Sequence, residues 1–213
     1  MRVVDLSHVI QPGMPMYPGT EPPVFECGTS IERDGFVETR LTLFSHTGTH
    51  MDAPAHLLKD GPTLDRLDVS HFVGPAVVIP AEAGEDRRVT VAHLKPFADR
   101  LARARFAILR TGWATRWGGA SYFGRFPVLD AEAAAWLARL DLYAVGVDAI
   151  SVDPMDAPEL PNHRVLLARG CCIVENLTNL GAVGNGEFTF ACLPLRLQNA
   201  DGSPVRAVAL LPD

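Results

Sequence analysis

The sequence predicts an α/β fold: a single domain over residues 1–213 with a mixed β-sheet and flanking helices. Three features carry that prediction. The first third sets short β-like runs among Pro and Gly, and the remainder alternates helix signals with short apolar strands. No internal repeat, low-complexity run or linker marks a boundary between them. Strands first and strand–helix alternation afterwards is the order expected of one mixed sheet.

Taken in chain order, Val3 to Leu6 reads as a strand that starts almost at once. Val37 to Phe44, with alternating apolar positions, and Ala76 to Ile79 are the next strands. Thr90 can cap a helix over 91–104, with a kink at Pro96, which has no N–H to donate. Phe106 to Leu109 is a buried strand. Asp130 caps an Ala-rich helix running to Leu140, and Tyr143 to Val147 is the strand after it. Pro158 to Arg169 is helical, with Gly170 as its stop signal. Cys171 to Val174, Phe188 to Leu195 and Val205 to Leu211 complete the sheet.

Composition narrows the function classes. Hydrophobic residues are 47% of the chain and charged residues 21%, as in ordinary globular proteins. A net charge of −6 with dispersed arginines argues against a nucleic-acid partner, which needs clustered Lys and Arg. No run approaches the ~20 apolar residues of a membrane helix, so no membrane partner is expected. Asp5 interrupts the first apolar run, which therefore lacks a signal-peptide core. Cys27, Cys171, Cys172 and Cys192 form no C-x-x-C pair and read as buried thiols in strands. These features together predict a cytoplasmic protein. There is no G-x-G-x-x-G, Walker A or G-x-S-x-G sequence, which removes the support for a nucleotide fold or a serine triad.

Chemistry concentrates in His46-Thr-Gly-Thr-His50-Met-Asp52-Ala-Pro-Ala-His56. Three of the seven histidines fall within these eleven residues, with an aspartate between them. Imidazole and carboxylate suit Zn²⁺ or Mn²⁺. His46 and His50 would share the face of a helix, but Thr47, Gly48, Thr49 and Pro54 disfavour one. On a straight strand the two would stand ~13 Å apart, too far for ligands that each reach a metal at ~2 Å. The chain must bend, and Gly48 is the residue able to do it. Asp52, two residues past His50, returns to the same face of an extended stretch. The plain alternative is a polar surface loop holding unrelated histidines.

The segment resembles the H-x-G-T-H-x-D-x-P-x-H signature of the cyclase-like metal hydrolases, a family that includes bacterial kynurenine formamidases and isatin hydrolases. All seven specified positions are present. Pro15-Met16-Tyr17-Pro18-Gly19 looks like the family's substrate-side loop. The run from Ser151 to Asp156, then His163, then Ile173 to Leu177 look like its second metal-binding half. The resemblance implies a swivelling β/β/α fold, with His46, His50 and Asp52 on one metal. It also implies that Asp52 bridges to a second metal on His163 and Glu175, and that His56 is the general acid/base. The metal it implies is Zn²⁺, two per subunit, with Mn²⁺ as the alternative. Relatives commonly form homodimers, so a homodimer or higher homo-oligomer is expected.

The implied reaction is metal-assisted attack of water on the amide bond of a small aryl formamide such as N-formylkynurenine. Isatin-hydrolase-like opening of a lactam or cyclic imide is the runner-up. A non-catalytic metal- or ligand-binding member of the family is the rival from another class, although such a protein would not need His56. Where dedicated formamidases carry Trp within Pro-x-Trp-Pro-Gly, this chain has Tyr17, a smaller ring for an aryl substrate to stack on. Of the other residues, His8 and His71 read as structural. Asp148 and Asp153 read as partners of the ligands or as caps, and Trp113, Trp117 and Tyr122 as an aromatic lid or as loop packing.

Overall fold

The computed structural model describes residues 1–82, 84, 86–184 and 186–212. Strand β1 (Arg2–Asp5) is followed by β2 (Val24–Thr29), a single helical turn α1 (Ile31–Asp34), β3 (Glu38–Thr42) and β4 (His50–Asp52). Next come β5 (Val73–Pro80), β6 (Arg88–Val89), α2 (Val91–Leu94), α3 (Ala98–Leu101), β7 (Phe106–Arg110) and β8 (Val128–Leu129). The chain finishes with α4 (Ala131–Leu137), β9 (Ala144–Val147), α5 (Pro161–Leu167), β10 (Cys172–Glu175), β11 (Phe188–Pro194) and β12 (Gly202–Leu211).

Eight strands form one mixed sheet in the order β1-β12-β11-β5-β7-β9-β10-β4. Strands β5, β7, β9 and β10 run parallel, and the helices α2 to α5 lie in the crossovers between them. A parallel pair needs such a crossover, which covers one face of the sheet. Strand β4 also pairs with the first residues of β12, so the sheet curls back on itself. Alternate residues of the parallel strands feed two cores. Val77, Ile79, Ala107, Leu109, Val145 and Ile173 pack under the helices. Their neighbours Val78, Phe106, Ile108 and Val174 fill the inside of the curl with Met51 and Phe190.

The predicted α/β architecture is observed, with local differences. The helix expected over 91–104 is divided into α2 and α3 by a 3₁₀ turn at Lys95–Phe97, as Pro96 requires. Helix α5 starts at Pro161 and not at Pro158. Leu160 takes a left-handed φ of 46°, and the Asp153 carboxylate accepts the N–H of Asn162 and of His163, which anchors the first turn there. The strand expected over 37–44 forms only Glu38–Thr42 and stays outside the main sheet, paired with β2. Closing β4 on β12 leaves no edge on that side for β2 and β3. Strand β12 starts at Gly202, three residues before the expected Val205, and those three residues are the ones that pair with β4. Cys171, Cys172 and Cys192 are buried, whereas Cys27 is exposed on β2 against expectation, because β2 has no sheet packed over it. Among the described residues, no helix is long and apolar enough to cross a membrane.

Candidate metal centre

The bend required of the His46–His50 spacing is present: Gly48 has a φ of 67°, where a side chain would be strained. Beyond it the chain straightens into β4, which carries His50 and Asp52 two residues apart on one face. Pro54 opens a 3₁₀ turn over Pro54–His56 that sets His56 at the rim of the same cavity. Strand β10 lies antiparallel to β4 with Glu175 opposite His50. His163 comes from the first turn of α5.

These segments converge closely. His46 Nδ1 is 2.6 Å from Asp52 Oδ1, and His50 Nε2 is 3.3 Å from the same oxygen. His50 Nε2 is 3.4 Å from Glu175 Oε2, and His163 Nε2 is 3.2 Å from Glu175 Oε1 and 3.7 Å from Asp52 Oδ2. Asp52 therefore stands between two triads, His46–His50–Asp52 and Asp52–His163–Glu175, each with ligand atoms within 4.8 Å of one another. His50, Asp52, His163 and Glu175 are all buried, while His46 and His56 are partly open to a cavity of about 410 Å³. Tyr17, with Pro15 and Phe44, also lines that cavity.

The far nitrogens of the two buried imidazoles are already committed. His50 Nδ1 donates to the Gly48 carbonyl at 2.8 Å, and His163 Nδ1 to Asp153 at 2.7 Å. Each Nε2 is left facing the carboxylates, the arrangement in which an outer acceptor fixes a ligand's tautomer. Burial alone would push His50 down, but Asp52 and Glu175 outweigh it and raise it to about 10. His163 is raised for the same reason, against its burial, by Asp153, Asp52 and Glu175. Asp52 is held well below the usual carboxylate range, because the three histidines outweigh the burial that would raise it. His56 moves the opposite way, lowered chiefly by burial. The buried negative charge thus calls for cations, and Glu175 Oε1 is buried without a hydrogen-bond partner. A divalent cation meets both demands, and the N/O donor set fits one.

Every residue singled out in the sequence for ligation lies in this cluster, and His56 and Tyr17 line its cavity. The remaining candidates divide. Asp153 is both an orienting acceptor for His163 and the cap of α5. Asp148 ties the turn after β7 through the N–H groups of Thr111 and Gly112. Trp113 and Tyr122 are buried packing: Trp113 Nε1 donates to the Tyr122 carbonyl, and the Tyr122 hydroxyl to the Asn176 side chain. His8 stacks on Trp117, and His71 stacks on Tyr143.

Asp201 and Gly202 escaped the sequence reading, and Asn176 entered it only as part of the Ile173–Leu177 run. Asn176 takes a left-handed φ of 58°, and its Nδ2 donates to the Gly48 carbonyl, which links β10 to the bend. Asp201 Oδ2 accepts from His46 Nε2 at 3.0 Å and lies 3.6 Å from His56 Nδ1. Gly202 sits so close to His46 that a Cβ there would come within 2.5 Å of its ring. An Asp-Gly pair reads locally as a turn, so neither residue carries a sequence signal for a site.

The family model described as a putative cyclase matches residues 4–154. The chain is 38% identical over 207 residues to the kynurenine formamidase of Bacillus cereus, covering 96% of this chain and 95% of that protein. It is 34% identical over 209 residues to the kynurenine formamidase of Geobacillus thermodenitrificans, with the same coverage. Among solved structures, isatin hydrolase A from Ralstonia solanacearum superposes with a TM-score of 0.87 at 28% identity, over 99% of this chain and 92% of that one. Isatin hydrolase A from Labrenzia aggregata gives 0.89 at 26% identity, over 100% and 94%.

Proposed function

This chain belongs to the cyclase family, and from that premise we propose that it is a metal-dependent amidohydrolase acting on the formamide bond of a small aryl substrate such as N-formylkynurenine. The observation that carries the reading is the buried Asp52–Glu175 pair facing three imidazoles, with Glu175 Oε1 in ion-pair contact with His163 but accepting no hydrogen bond. His46, His50 and Asp52 would hold one ion and Asp52, His163 and Glu175 a second. Zn²⁺ is the ion we favour for this N/O set, with Mn²⁺ as the alternative. When bound, such an ion would lower the pKa of water to about 7 and polarise a carbonyl oxygen.

The protein's own side chains do the remaining work. Asp52 fixes the two triads relative to each other by offering one oxygen to each. His56 stands beside the cluster at the cavity wall, its ring 4.1 Å from that of His46 and 6.4 Å from that of His163. From there it takes the proton of the attacking water and delivers it to the leaving nitrogen. Its pKa, lowered by burial, keeps it unprotonated at neutral pH and ready to act first as a base. Tyr17 is an aromatic residue of the cavity lining, which suits a flat aromatic amide.

A second reading, opening of a lactam such as isatin, is favoured by the TM-scores of the two isatin hydrolases and by Tyr17 standing where formamidases carry Trp. The test is a screen of N-formylkynurenine, formanilide, isatin and simple lactams against protein of verified metal content. Preferential cleavage of the formamides is expected. Preferential isatin opening would move the assignment to the second reading. No turnover of any of them would leave a metal-binding protein without this activity.

A further inference from the structure

Each imidazole of the cluster that is buried has its own fixed acceptor: the Gly48 carbonyl for His50 and Asp153 for His163. His46 and His56 are more open, with about a quarter of each side chain exposed, and one oxygen faces both of them. Asp201 Oδ2 lies 3.0 Å from His46 Nε2 and 3.6 Å from His56 Nδ1, and their rings stand 4.1 Å apart. Among the described residues, no other carboxylate lies within ion-pair distance of His56.

The segment carrying that oxygen is held firmly. The Asp201 carbonyl accepts from Ala53 N–H at 2.8 Å, Gly202 pairs with Asp52 in the sheet, and the carbonyl of Ala200 accepts from Leu64 N–H at 3.0 Å. Gly202 then packs directly against His46, where a Cβ would approach Cε1 to 2.5 Å and Nε2 to 2.7 Å. Real Cβ contacts are not that short, so His46 occupies this place because residue 202 has no side chain. Carboxylate and backbone together grip the ring on its edge and on its flank.

We propose that Asp201, backed by Gly202, is the positioning residue shared by His46 and His56, an inference that rests on the hydrolase reading above. By accepting from Nε2–H of His46, it leaves Nδ1 as the nitrogen that faces Asp52 and His50 for ligation. By standing beside Nδ1 of His56, it directs that ring's Nε2 toward the cavity as the nitrogen that exchanges a proton with substrate. One carboxylate thus keeps a ligand and the proton carrier in register.

The test uses Asp201→Ala, Asp201→Asn and Gly202→Ala in the full chain. Zn²⁺ affinity is read by competition with a chromophoric chelator, and kcat is read at saturating Zn²⁺ on the best substrate of the screen. Asp201→Ala is expected to weaken Zn²⁺ binding by ~10–100-fold, the usual cost of losing an outer partner of a ligand. Gly202→Ala should weaken it with Asp201 intact, by displacing His46. Asp201→Asn, which keeps the shape and one acceptor, should fold like the wild type and lose less affinity than Asp201→Ala. At saturating Zn²⁺ the double variant Asp201→Ala/His56→Ala should be no slower than His56→Ala alone, since residues that act through one another are non-additive. Wild-type affinity in both Asp201→Ala and Gly202→Ala would overturn the grip on His46. An unchanged kcat in Asp201→Ala, or a double variant slower by the product of both losses, would overturn the link to His56. If the wild type hydrolyses none of the substrates, the hydrolase reading fails, while the Zn²⁺ titration still decides whether Asp201 holds His46.

Discussion

The two triads around Asp52 are built in different ways. His46, His50 and Asp52 lie within seven consecutive residues and are brought together by a bend at Gly48. His163 and Glu175, with their support Asp153, come from α5, β10 and the loop before α5, brought together by β10 pairing with both β9 and β4. One side is a local device of the chain, and the other is a product of sheet topology. The difference teaches where each side is vulnerable. The first depends on a turn and on the distant Asp201–Gly202 grip, and the second on strand register and on one buried carboxylate.

The largest expected effect tests whether the two sides form one site. Asp52→Ala should lose metal and activity together, and Glu175→Ala, on the topological side, should hold less metal than the wild type; elemental analysis of purified variants measures both. Equal metal content in Glu175→Ala and wild type would break the comparison by removing β10 from the site. Chelation should also lower the melting temperature, because the binding energy is present only in the folded state.

His56 should separate from its neighbours. His56→Ala is expected to keep its metal and lower kcat by ~10²–10⁴-fold, the usual contribution of a proton carrier. Metal loss as complete as in His50→Ala would make it a ligand.

A smaller loss is expected from the topological side's support. Asp153→Ala removes the acceptor of His163 Nδ1 and should weaken metal binding by ~10–100-fold, measured by chelator competition. It should also lower the melting temperature, since the same carboxylate caps α5. Unchanged affinity would mean that packing alone orients His163.

Further out, Tyr17→Ala should raise KM for aryl substrates by about 1–3 kcal/mol with kcat nearly constant, as for the loss of one ring contact. A fall in kcat at constant KM would assign Tyr17 to the chemistry.

The smallest effect concerns pH. Burial pushes His8, stacked on Trp117, down to about 4 from its usual 6.5. The unfolded chain therefore takes up this proton first as the pH falls, and the stability His8 contributes above pH 6.5 is lost between 6.5 and about 4. His8→Phe keeps a ring against Trp117 and should show a shallower drop in melting temperature across that window. A drop as steep as the wild type's would place the acid sensitivity elsewhere.

Legibility in the sequence follows the same division. The His46–His56 segment could be read directly, because its candidate ligands sit at spacings that make sense for one site only if Gly48 turns. His163 and Glu175 were reached only through the family resemblance; alone, each is an ordinary helix or strand-end residue. The strand at Glu38–Thr42 was legible as a strand, but its place outside the main sheet was not, because pairing is settled between strands distant in the chain. Asp201 and Gly202 were missed because an Asp-Gly pair before a strand has the local signature of a turn.

By itself, the sequence determined the α/β order of elements, the Pro96 break, the bend at Gly48 and the gathering of three histidines and an aspartate in one segment. Each of these follows from the stereochemistry of a few adjacent residues. Only the tertiary structure decided that β12 begins at Gly202, that its first residues close the sheet on β4, and that Asp201 is thereby set against His46 and His56. The physical reason is that backbone preferences act over neighbouring residues, whereas a carboxylate 155 residues away from its histidine is placed by register, burial and the room left by a missing side chain.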